Sequence, residues 1–389
     1  MQGALDFAFL GLSLRSAWGN GHATTYRALI RALLARGHRV RFYERDRSWY
    51  ADNQDLPRDL VRCLVLYDDI DALRDQHGDD IAAADVAVLG SFVPEGARIG
   101  DWLLRTAHGV TAFYDIDTPV TMAKLREGAC DYLRANQIAE FGVYLSFTGG
   151  PFLDSLRCRY GAHAEPLYCA VDAERYAPSG TPAQYDLGYL GTYSADRQPL
   201  LQRYLLDVAG QWTDGRFAVA GPQYPECIDW PRNVVRIEHL APARHRAFYN
   251  AQRFTLNLTR ADMVAAGWSP SVRLFEAAAC GVPIISDVWP GIEAFFAPDE
   301  EILLAHEPAQ VLAWLRDTPE TRRRALGAAA RRRVLAEHTA DHRAEALERY
   351  IERAVPRRRA IGPNESRSNR NRSNGSSSNR SRSICHDSA

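Results

Sequence analysis

The chain has 389 residues, of which 46% are hydrophobic and 24% charged, and its formal net charge is -1. This composition is ordinary for a globular protein, and the near-zero charge gives no overall polarity that would indicate a nucleic-acid or membrane partner. Since single hydrophobic cores rarely grow beyond about 250–300 residues, the length predicts two domains.

Short apolar runs alternate with helix-length amphipathic stretches along the first half of the chain. A strand over residues 6–13 is followed by a glycine-rich turn and by a helix over residues 23–36, which Gly37 ends. Five further apolar runs follow, HRVRFYE, RCLVLY, DVAVLGS, VTAFYD and VYLSFT. Nearly continuous apolar strands that alternate with helices predict a parallel sheet covered on both faces.

The alternation breaks near the middle of the chain, in the turn-rich stretch LYCAVDAERYAPSGTP. It then resumes with YDLGYLG, a helix, FAVAG, NVVRIE, a second helix, RFTLNLT, EILLA and closing helices. The pattern predicts two doubly wound parallel-sheet domains: residues 1–168, a linker at 169–182, and residues 183–355. The last helix is able to pack back on the N-terminal domain.

Beyond residue 355 the chain becomes rich in Ser, Arg and Asn. It has too few apolar residues to form a core, so residues 356–389 are predicted to be a disordered tail. Binding to nucleic acid or another anionic surface and a solvated tail without a selected function are both compatible with this composition. No specific nucleic-acid partner is predicted.

Cysteine usage and the N-terminus bear on the cellular compartment. Seven cysteines are scattered along the chain without a C-x-x-C pair, which indicates reduced thiols rather than a disulfide framework or a zinc site. The N-terminus lacks the basic region and apolar core of a signal peptide, and no apolar run reaches the roughly 18–20 residues that span a bilayer. We therefore expect a cytoplasmic protein without a transmembrane segment.

The stretch SPSVRLFEAAACGVPIISD in the second half combines a helix start with two charged residues. Ser269 is predicted to be the N-cap and Pro270 the first helical residue, where a missing N–H group costs nothing. The free N–H groups that follow, together with Arg273, would suit a phosphate. Glu276, one turn further, is placed to accept hydrogen bonds from a diol such as ribose. The alternative is a surface helix on which Arg273 and Glu276 form an i,i+3 pair.

The segment RLFEAAACGVPIISD, followed by GIEAFFAPDEEILL, resembles the nucleotide-binding half of GT-B glycosyltransferases of the group 1-like family, and most of all the spore-maturation (CgeB-type) group. Four other segments resemble the same group in the expected order: SAWGNGHATTYRALIRALLARGHRVRFYE, YDIDTPVT, PLYCAVDAERYAP and DLGYLGTYSADRQPLL. The resemblance implies a GT-B fold, in which two Rossmann-like α/β domains face a central cleft. It also implies a glycosyltransferase that moves a sugar from a nucleotide-sugar donor to an acceptor hydroxyl.

The resemblance places the donor mainly in the C-terminal domain. The pyrophosphate would lie near the loop GTYSADR and near the start of the helix described above, and Glu276 would bind the ribose. The segment RIEHL would frame the base through backbone groups. The implied donor-binding residues are Gly191, Thr192, Arg197, His239, Leu240, Ser271, Arg273 and Glu276.

The N-terminal domain would bind the acceptor through the segment WGNGHA. Its glycines allow a ligand to approach the backbone, and the implied residues are Trp18, Gly19, Asn20 and Gly21. His22 is a candidate general base, because an unperturbed imidazole titrates near neutrality. A capping or packing role for His22 is the alternative.

Asp115 and Asp117 form a D-x-D pair, which in GT-A glycosyltransferases binds a divalent cation. Alternating positions at a strand end place both carboxylates on one side, so a metal site is chemically feasible. Because Arg197, Arg273 and the helix N-terminus supply positive charge, we expect no metal and no other cofactor. Both aspartates are predicted to face the cleft, one of them as a base or to orient the acceptor, with Thr118 in the turn. The alternative is an Asx-type turn that caps the next helix.

Many retaining relatives carry a glutamate eight positions before the ribose-binding one, where this chain has Trp268. Retention or inversion is therefore left open. Two alternatives use the same scaffold: a nucleotide-sugar epimerase, and a non-catalytic sugar-nucleotide-binding protein, which Trp268 favours. A phosphorylase would need a cofactor lysine, and Lys124 is the only lysine. The donor base and sugar, the acceptor (glycan, protein or small molecule) and the oligomeric state are also left open.

Overall fold

The computed structural model describes residues 3–17 and 21–360, with side chains as far as residue 354. The strands of the N-terminal domain are β1 (Asp6–Leu10), β2 (Arg39–Arg45), β3 (Leu64–Tyr67), β4 (Val86–Gly90), β5 (Val110–Asp115), β6 (Val143–Ser146) and β7 (Ala164–Pro166). They pair in parallel in the order β3-β2-β1-β4-β5-β6-β7. All residues of β4 and β5 are buried, which explains why these strands read as nearly continuous apolar runs.

Helices cover both faces of this sheet. They are α1 (Gly21–Ala35), α2 (Ser48–Asp52), α3 (Ile70–Ala83), α4 (Gly96–Thr106), α5 (Thr118–Arg126) and α6 (Gly150–Tyr160). Phe7 and Phe9 of β1 belong to the same hydrophobic cluster as the apolar side of α1. Ala8 and Leu10 point to the opposite face and pack with α3 and α4. The period-2 alternation of the strand thus buries apolar side chains on both sides.

The C-terminal domain repeats this architecture with six parallel strands. They are β8 (Tyr185–Leu190), β9 (Phe217–Ala220), β10 (Val234–Ile237), β11 (Gln252–Asn257), β12 (Ile284–Ser286) and β13 (Leu303–Leu304), in the order β10-β9-β8-β11-β12-β13. The helices are α7 (Gln198–Leu201), α8 (Asp207–Gln211), α9 (His245–Asn250), α10 (Ala261–Ala266), α11 (Val272–Ala279), α12 (Pro308–Asp317), α13 (Glu320–Glu337) and α14 (Ala340–Ala360). A π-helical turn, Gln202–Leu206, joins α7 to α8.

Helix α14 returns to the N-terminal domain. Arg36, directly after α1, donates two hydrogen bonds of 2.7 Å to the carboxylate of Glu348, and the Tyr350 hydroxyl donates to the carbonyl of Pro166 at 3.0 Å. All strands of the first sheet precede residue 167 and all strands of the second follow residue 184. The architecture is the predicted one of two Rossmann-like α/β domains, while the boundaries drawn at residues 168 and 183 stay a prediction.

The two domains contact each other around the side chain of Trp268. Its indole lies between two glycines, Gly150 of the N-terminal domain and Gly291 of the C-terminal domain. A Cβ atom placed on either glycine would come within 2.4 or 2.3 Å of the ring. The Gly149 N–H donates to the Trp268 carbonyl at 3.0 Å, and the hydroxyls of Thr148 and Ser269 share a hydrogen bond of 3.0 Å. The loop that precedes α11 is therefore held against the N-terminal domain.

Candidate functional site

Two adjoining cavities lie between the domains, where strands of both sheets end. The start of α1, which follows β1, contributes Gly21 to their walls, and the segments directly after β5, β8 and β11 contribute Asp117, Gly191 and Arg260. Ligands of open parallel α/β sheets bind at the carboxyl ends of the strands. The cavities therefore lie where this fold places its ligands.

The first cavity, here the Glu276 cavity, has a volume of about 840 Å³ including its open mouth. Its walls include seven of the eight predicted donor-binding residues: Gly191, Thr192, His239, Leu240, Ser271, Arg273 and Glu276. Gly21 and Thr24 of the N-terminal domain close the opposite side.

The second cavity, here the His22 cavity, has a volume of about 900 Å³ including its mouth. It contains the remaining predicted donor residue, Arg197, together with His22 and Asp117 of the N-terminal domain. Much of its wall is apolar, from Ile116, Phe147, Leu258, Met263 and Pro270. Gly21, Ser271 and Val272 line both cavities, so the N-terminus of α11 lies where they meet.

Helix α11 begins later than the sequence predicts. Its N-cap is Ser271, in an extended conformation, and not Ser269. Ser269 is instead engaged with Thr148 across the domain interface and donates to the Met263 sulfur at 3.0 Å. The Ser271 hydroxyl donates to the Asn257 side-chain oxygen at 2.8 Å, and no side chain caps the helix. The first backbone N–H groups of α11 are thus without a side-chain cap at the junction of the cavities, as an anion site requires.

Arg273 is a buried and fully oriented side chain. Its Nε donates to the Leu190 carbonyl at 2.5 Å, its Nη1 donates to the Asn257 oxygen at 2.8 Å, and the guanidinium lies 4.8 Å from the ring centre of Tyr189. The alternative of a surface pair with Glu276 is wrong, because both side chains are buried and line a cavity. Arg273 therefore supplies a cation whose position is set before any ligand arrives.

Glu276 is also oriented by a buried partner. The Tyr249 hydroxyl donates to its Oε2 at 2.9 Å. Burial, reinforced by the charge of Glu276, raises the pKa of Tyr249 well above its ordinary value, so the phenol stays protonated and remains a donor. The carboxylate is thereby held in one orientation at the wall of the cavity, suited to accept hydrogen bonds from a diol.

His22 and Asp117 come together as a pair. The Nε2 atom of His22 lies 3.9 Å from Oδ2 of Asp117, with exposed side-chain fractions of 9% and 28%. The Nδ1 atom of His22 is buried and has no hydrogen-bond partner among the described residues. The ring packs edge-on against Phe92 at 5.4 Å. An imidazole beside a carboxylate at a cavity wall can accept a proton and hold the resulting charge.

Asp115 and Thr118 do not face the cleft. Asp115 is fully buried and accepts hydrogen bonds from the Tyr144 hydroxyl, from Thr121 at 2.7 Å and from the Asp117 N–H at 3.3 Å. Burial raises the pKa of Asp115 to about 6. Thr118 is also fully buried and shares a hydrogen bond of 2.8 Å with Ser146. Because the chain turns between β5 and α5, the strand alternation that would place both carboxylates on one side ends at Asp115.

Arg197 is accompanied by an arginine that the sequence analysis missed. The Nη2 of Arg197 donates to the Thr192 carbonyl at 2.7 Å, and Arg260 lines the same cavity wall. Arg260 follows the buried strand β11 directly, and a charged residue at the carboxyl end of such a strand is the signal that could have found it. Of the acceptor segment, Gly21 lines both cavities, whereas Trp18, Gly19 and Asn20 lie outside the described residues.

Asn257, at the end of β11, was missed as well. Its side-chain oxygen accepts from both Ser271 and Arg273, and its nitrogen donates to the Ser286 hydroxyl at 2.9 Å. Asp287 extends the network by accepting from the Thr259 hydroxyl at 3.0 Å. Asn257 interrupts the apolar run RFTLNLT, which is the sequence signal for a buried polar residue with a specific partner.

Among the described residues, no group of three or more His, Cys, Asp or Glu side chains is arranged to hold a metal ion. No described helix combines the length and apolarity needed to cross a bilayer. Independence of metal ions stays a prediction of the sequence.

A family model described as glycosyl transferase-like matches residues 197–349. No curated protein sequence matches the chain. Among solved structures, sucrose-phosphate synthase from Thermosynechococcus elongatus is 15% identical with a TM-score of 0.65, over 91% of this chain and 100% of the synthase. An α-glucosyltransferase in complex with UDP and DNA is 11% identical with a TM-score of 0.71, over 90% and 100% of the two chains. The chain has the GT-B fold.

The GT-B fold and the family model together bear out the predicted class of enzyme, a glycosyltransferase. HepE from Anabaena, in complex with UDP and glucose, is a further GT-B neighbour, 11% identical with a TM-score of 0.65 over 90% of this chain and 100% of HepE. At these identities the neighbours establish the fold alone. The narrower assignment to the spore-maturation group stays a prediction.

Proposed function

We propose that this GT-B protein transfers a sugar from a nucleotide-sugar donor to an acceptor nucleophile. The observation that carries the proposal is the position of the α11 N-terminus, at the junction of two cavities with different chemistry. One cavity holds an oriented carboxylate, Glu276, and the other holds the pair His22 and Asp117. A donor that spans the junction would place its sugar beside the residues that can activate an acceptor.

The Glu276 cavity would bind the nucleoside, with the diphosphate at its junction with the His22 cavity. Glu276 would accept hydrogen bonds from the ribose hydroxyls, and the segment that contains His239 and Leu240 would border the base. The diphosphate would bind to the first N–H groups of α11 and to the guanidinium of Arg273, since a helix N-terminus and a fixed cation both favour an anion. HepE binds UDP and glucose, and the α-glucosyltransferase binds UDP, so uridine nucleotides are the first donors to test.

The His22 cavity would hold the transferred sugar and the acceptor. In the reaction the acceptor oxygen forms a bond to the anomeric carbon, while the bond from that carbon to the diphosphate oxygen breaks. His22 would take the acceptor proton, and Asp117 would stabilise the imidazolium. Arg197, Arg273 and the helix N–H groups would stabilise the charge that develops on the departing diphosphate, without a metal ion.

A panel of nucleotide sugars tests the proposal. We expect the protein to release nucleoside diphosphate from one donor slowly in water and faster with a suitable acceptor from a mixture of glycans, peptides and small alcohols. His22→Ala should lower the transfer rate by roughly 10²–10⁴-fold and leave nucleotide affinity unchanged. His306→Ala, at an exposed position outside both cavities, is the matched control.

Three other results would contradict the proposal. Nucleotide binding without turnover of any donor would favour the non-catalytic binding protein. Conversion of a donor to its epimer without release of nucleoside diphosphate would favour the epimerase. If no nucleotide binds, the assignment of both cavities is wrong. A His22→Ala variant that retains the full rate would move the base elsewhere, with Asp117 tested next.

A further inference from the structure

The three arginines of the two cavities are divided between them. Arg273 lines the Glu276 cavity and not the His22 cavity, whereas Arg197 and Arg260 line the His22 cavity and not the Glu276 cavity. Ser271 and Val272, at the start of α11, line both. The three guanidinium groups are thus distributed about the helix start, an arrangement that suits an elongated anion with two charged groups better than a compact one.

Arg197 and Arg260 have no ion-pair partner within the described part of the chain. Within that part of the chain, no carboxylate oxygen lies within 4.0 Å of either guanidinium group. The buried Nε of Arg197 also lacks a hydrogen-bond partner among the described residues. The described chain contains many paired arginines, such as Arg253 with Asp186 at 3.0 Å. Two guanidinium groups without an ion-pair partner on one cavity wall are a place for an anionic ligand. The buried Nε of Arg197 adds to this, because a buried donor without an acceptor is costly.

Asp196 connects the two loops that carry these arginines and forms no ion pair with either. Its Oδ2 accepts from the N–H of Ala261, the residue after Arg260, at 2.8 Å, and its other oxygen accepts from Ser194. Against the opposing effect of burial, the Ser194 and Ala261 hydrogen bonds and the charges of Arg197 and Arg260 lower the pKa of Asp196. The carboxylate thus stays ionised and fixes the relative position of the two loops.

We propose that Arg260 acts with Arg197 on the phosphate group that carries the transferred sugar, the β-phosphate, while Arg273 binds the α-phosphate. This inference rests on the proposed function, since it names the residues for the two ends of the donor diphosphate. When the bond between the sugar and the diphosphate breaks, negative charge grows on the β-phosphate. Two guanidinium groups at that phosphate stabilise the leaving group where the charge develops.

The competing use of the two arginines is recognition of a carboxylate or phosphate on the sugar or the acceptor. The two uses predict different effects of replacing Arg260 on nucleotide affinity. If Arg260 binds the β-phosphate, it contacts a nucleoside diphosphate but not a nucleoside monophosphate. If Arg260 binds an anion elsewhere, it contributes to neither nucleotide.

Calorimetric titration separates these cases with three nucleotide pairs, UMP and UDP, GMP and GDP, and AMP and ADP. For the base that binds the wild type best, Arg260→Gln should weaken the diphosphate by about tenfold or more, the usual size of a charge-assisted hydrogen bond, and leave the monophosphate unchanged. Arg260→Lys should retain part of the diphosphate affinity, because lysine keeps the charge and loses the planar fork. Arg232→Gln, at an exposed arginine that lines neither cavity, should change nothing.

Two outcomes overturn the inference while leaving the proposed function intact. An unchanged diphosphate affinity in Arg260→Gln removes Arg260 from the β-phosphate and favours the anionic sugar or acceptor. An equal loss for monophosphate and diphosphate shows that the residue acts on the shape of the cavity. If the wild type binds no nucleotide, the proposed function fails together with the inference. Thermal unfolding of each variant checks its fold. If Arg260→Gln does not fold, Arg260→Lys tests the inference instead, through the ratio of its affinities for the diphosphate and the monophosphate.

Discussion

The guanidinium of Arg273 donates to the side-chain oxygen of Asn257 at 2.8 Å, and both side chains are buried. The same oxygen accepts the hydroxyl of Ser271, also at 2.8 Å. One amide at the end of β11 therefore fixes the cation and the N-cap on the two sides of the α11 N-terminus. It also uses the Ser271 hydroxyl, so that residue can offer an anion its backbone rather than its side chain.

Asn257→Ala should consequently weaken nucleoside diphosphate binding by about tenfold, because Arg273 loses the acceptor that holds it in place. If Asn257 acts through Arg273, the same change should have little further effect in an Arg273→Ala background. A double-mutant cycle on nucleotide affinity measures this coupling. Additive effects of the two substitutions would show that Asn257 supports the fold of the site and not the orientation of Arg273.

Glu276→Gln should weaken the best nucleoside diphosphate by about 1.5–3 kcal/mol, the cost of losing a hydrogen bond to a charged acceptor. The loss should disappear with the 2′,3′-dideoxy analogue of that nucleotide, which has no diol to bind. Tyr249→Phe should give a smaller loss with the same dependence on the diol, since it frees Glu276 without removing its charge. Equal losses for both nucleotides would place the ribose elsewhere.

The sequence allowed much of this architecture to be predicted, because parallel strands and amphipathic helices follow from hydrophobic periodicity. The assignment of Ser271, Arg273 and Glu276 to a donor stays a prediction, and the sequence could group these residues because one short helix and its N-cap carry all three. Asp115 could not be placed from its spacing. Whether its carboxylate faces solvent depends on Tyr144 and Thr121, which come from other segments and supply its hydrogen bonds.

The environment of Trp268 could not be predicted from the sequence either. Its sequence position indicated a departure from the glutamate of retaining relatives and gave no partner for the indole. Its environment depends on two glycines distant in the chain, Gly150 and Gly291, which leave the space that the indole fills. A contact between segments so far apart leaves no periodic signal in either. Arg260 was missed for a related reason, since its importance comes from sharing a wall with Arg197.

The burial of Asp115 predicts a pH dependence of protein stability that is opposite in sign to the one that most carboxylates give. Burial raises the pKa of Asp115 from 3.8 to about 6 in the folded protein, so between these values the folded state holds a proton that the unfolded state has lost. Stability from this residue is therefore complete at low pH and falls as the pH rises to about 6. The difference between these two pKa values corresponds to a loss of unfolding free energy on the order of 3 kcal/mol.

Urea unfolding of the wild type and Asp115→Asn across pH 4 to 7 measures this effect. The free energy of unfolding of the wild type, relative to that of the variant, should decrease as the pH rises and level off above about 6. Asp75→Asn, at an exposed position without an ion pair among the described residues, should show no such trend. A relative stability that increases with pH would mean that Asp115 is stabilised as a carboxylate by its hydroxyl partners.

Gly150→Ala tests whether Trp268 holds the two domains together. The new Cβ atom would lie 2.4 Å from the indole, and Gly150 also has a φ of +57°. Gly128→Ala provides the matched control, because Gly128 has a φ of +68° and open space around the site of a Cβ atom. Both variants carry the backbone strain of about 1 kcal/mol, but only Gly150→Ala disturbs the domain contact.

We expect Gly150→Ala to lower the free energy of unfolding by about 1–3 kcal/mol more than Gly128→Ala, the usual cost of overpacking. It should also weaken nucleotide binding, because the loop from Trp268 to Ser271 leads directly into the α11 N-terminus. Trp268→Ala in the Gly150→Ala background should remove the clash, so the double variant should be more stable than the sum of the single effects predicts. Strict additivity would show that the indole is free to move away from Gly150 and that the domains are held by other contacts.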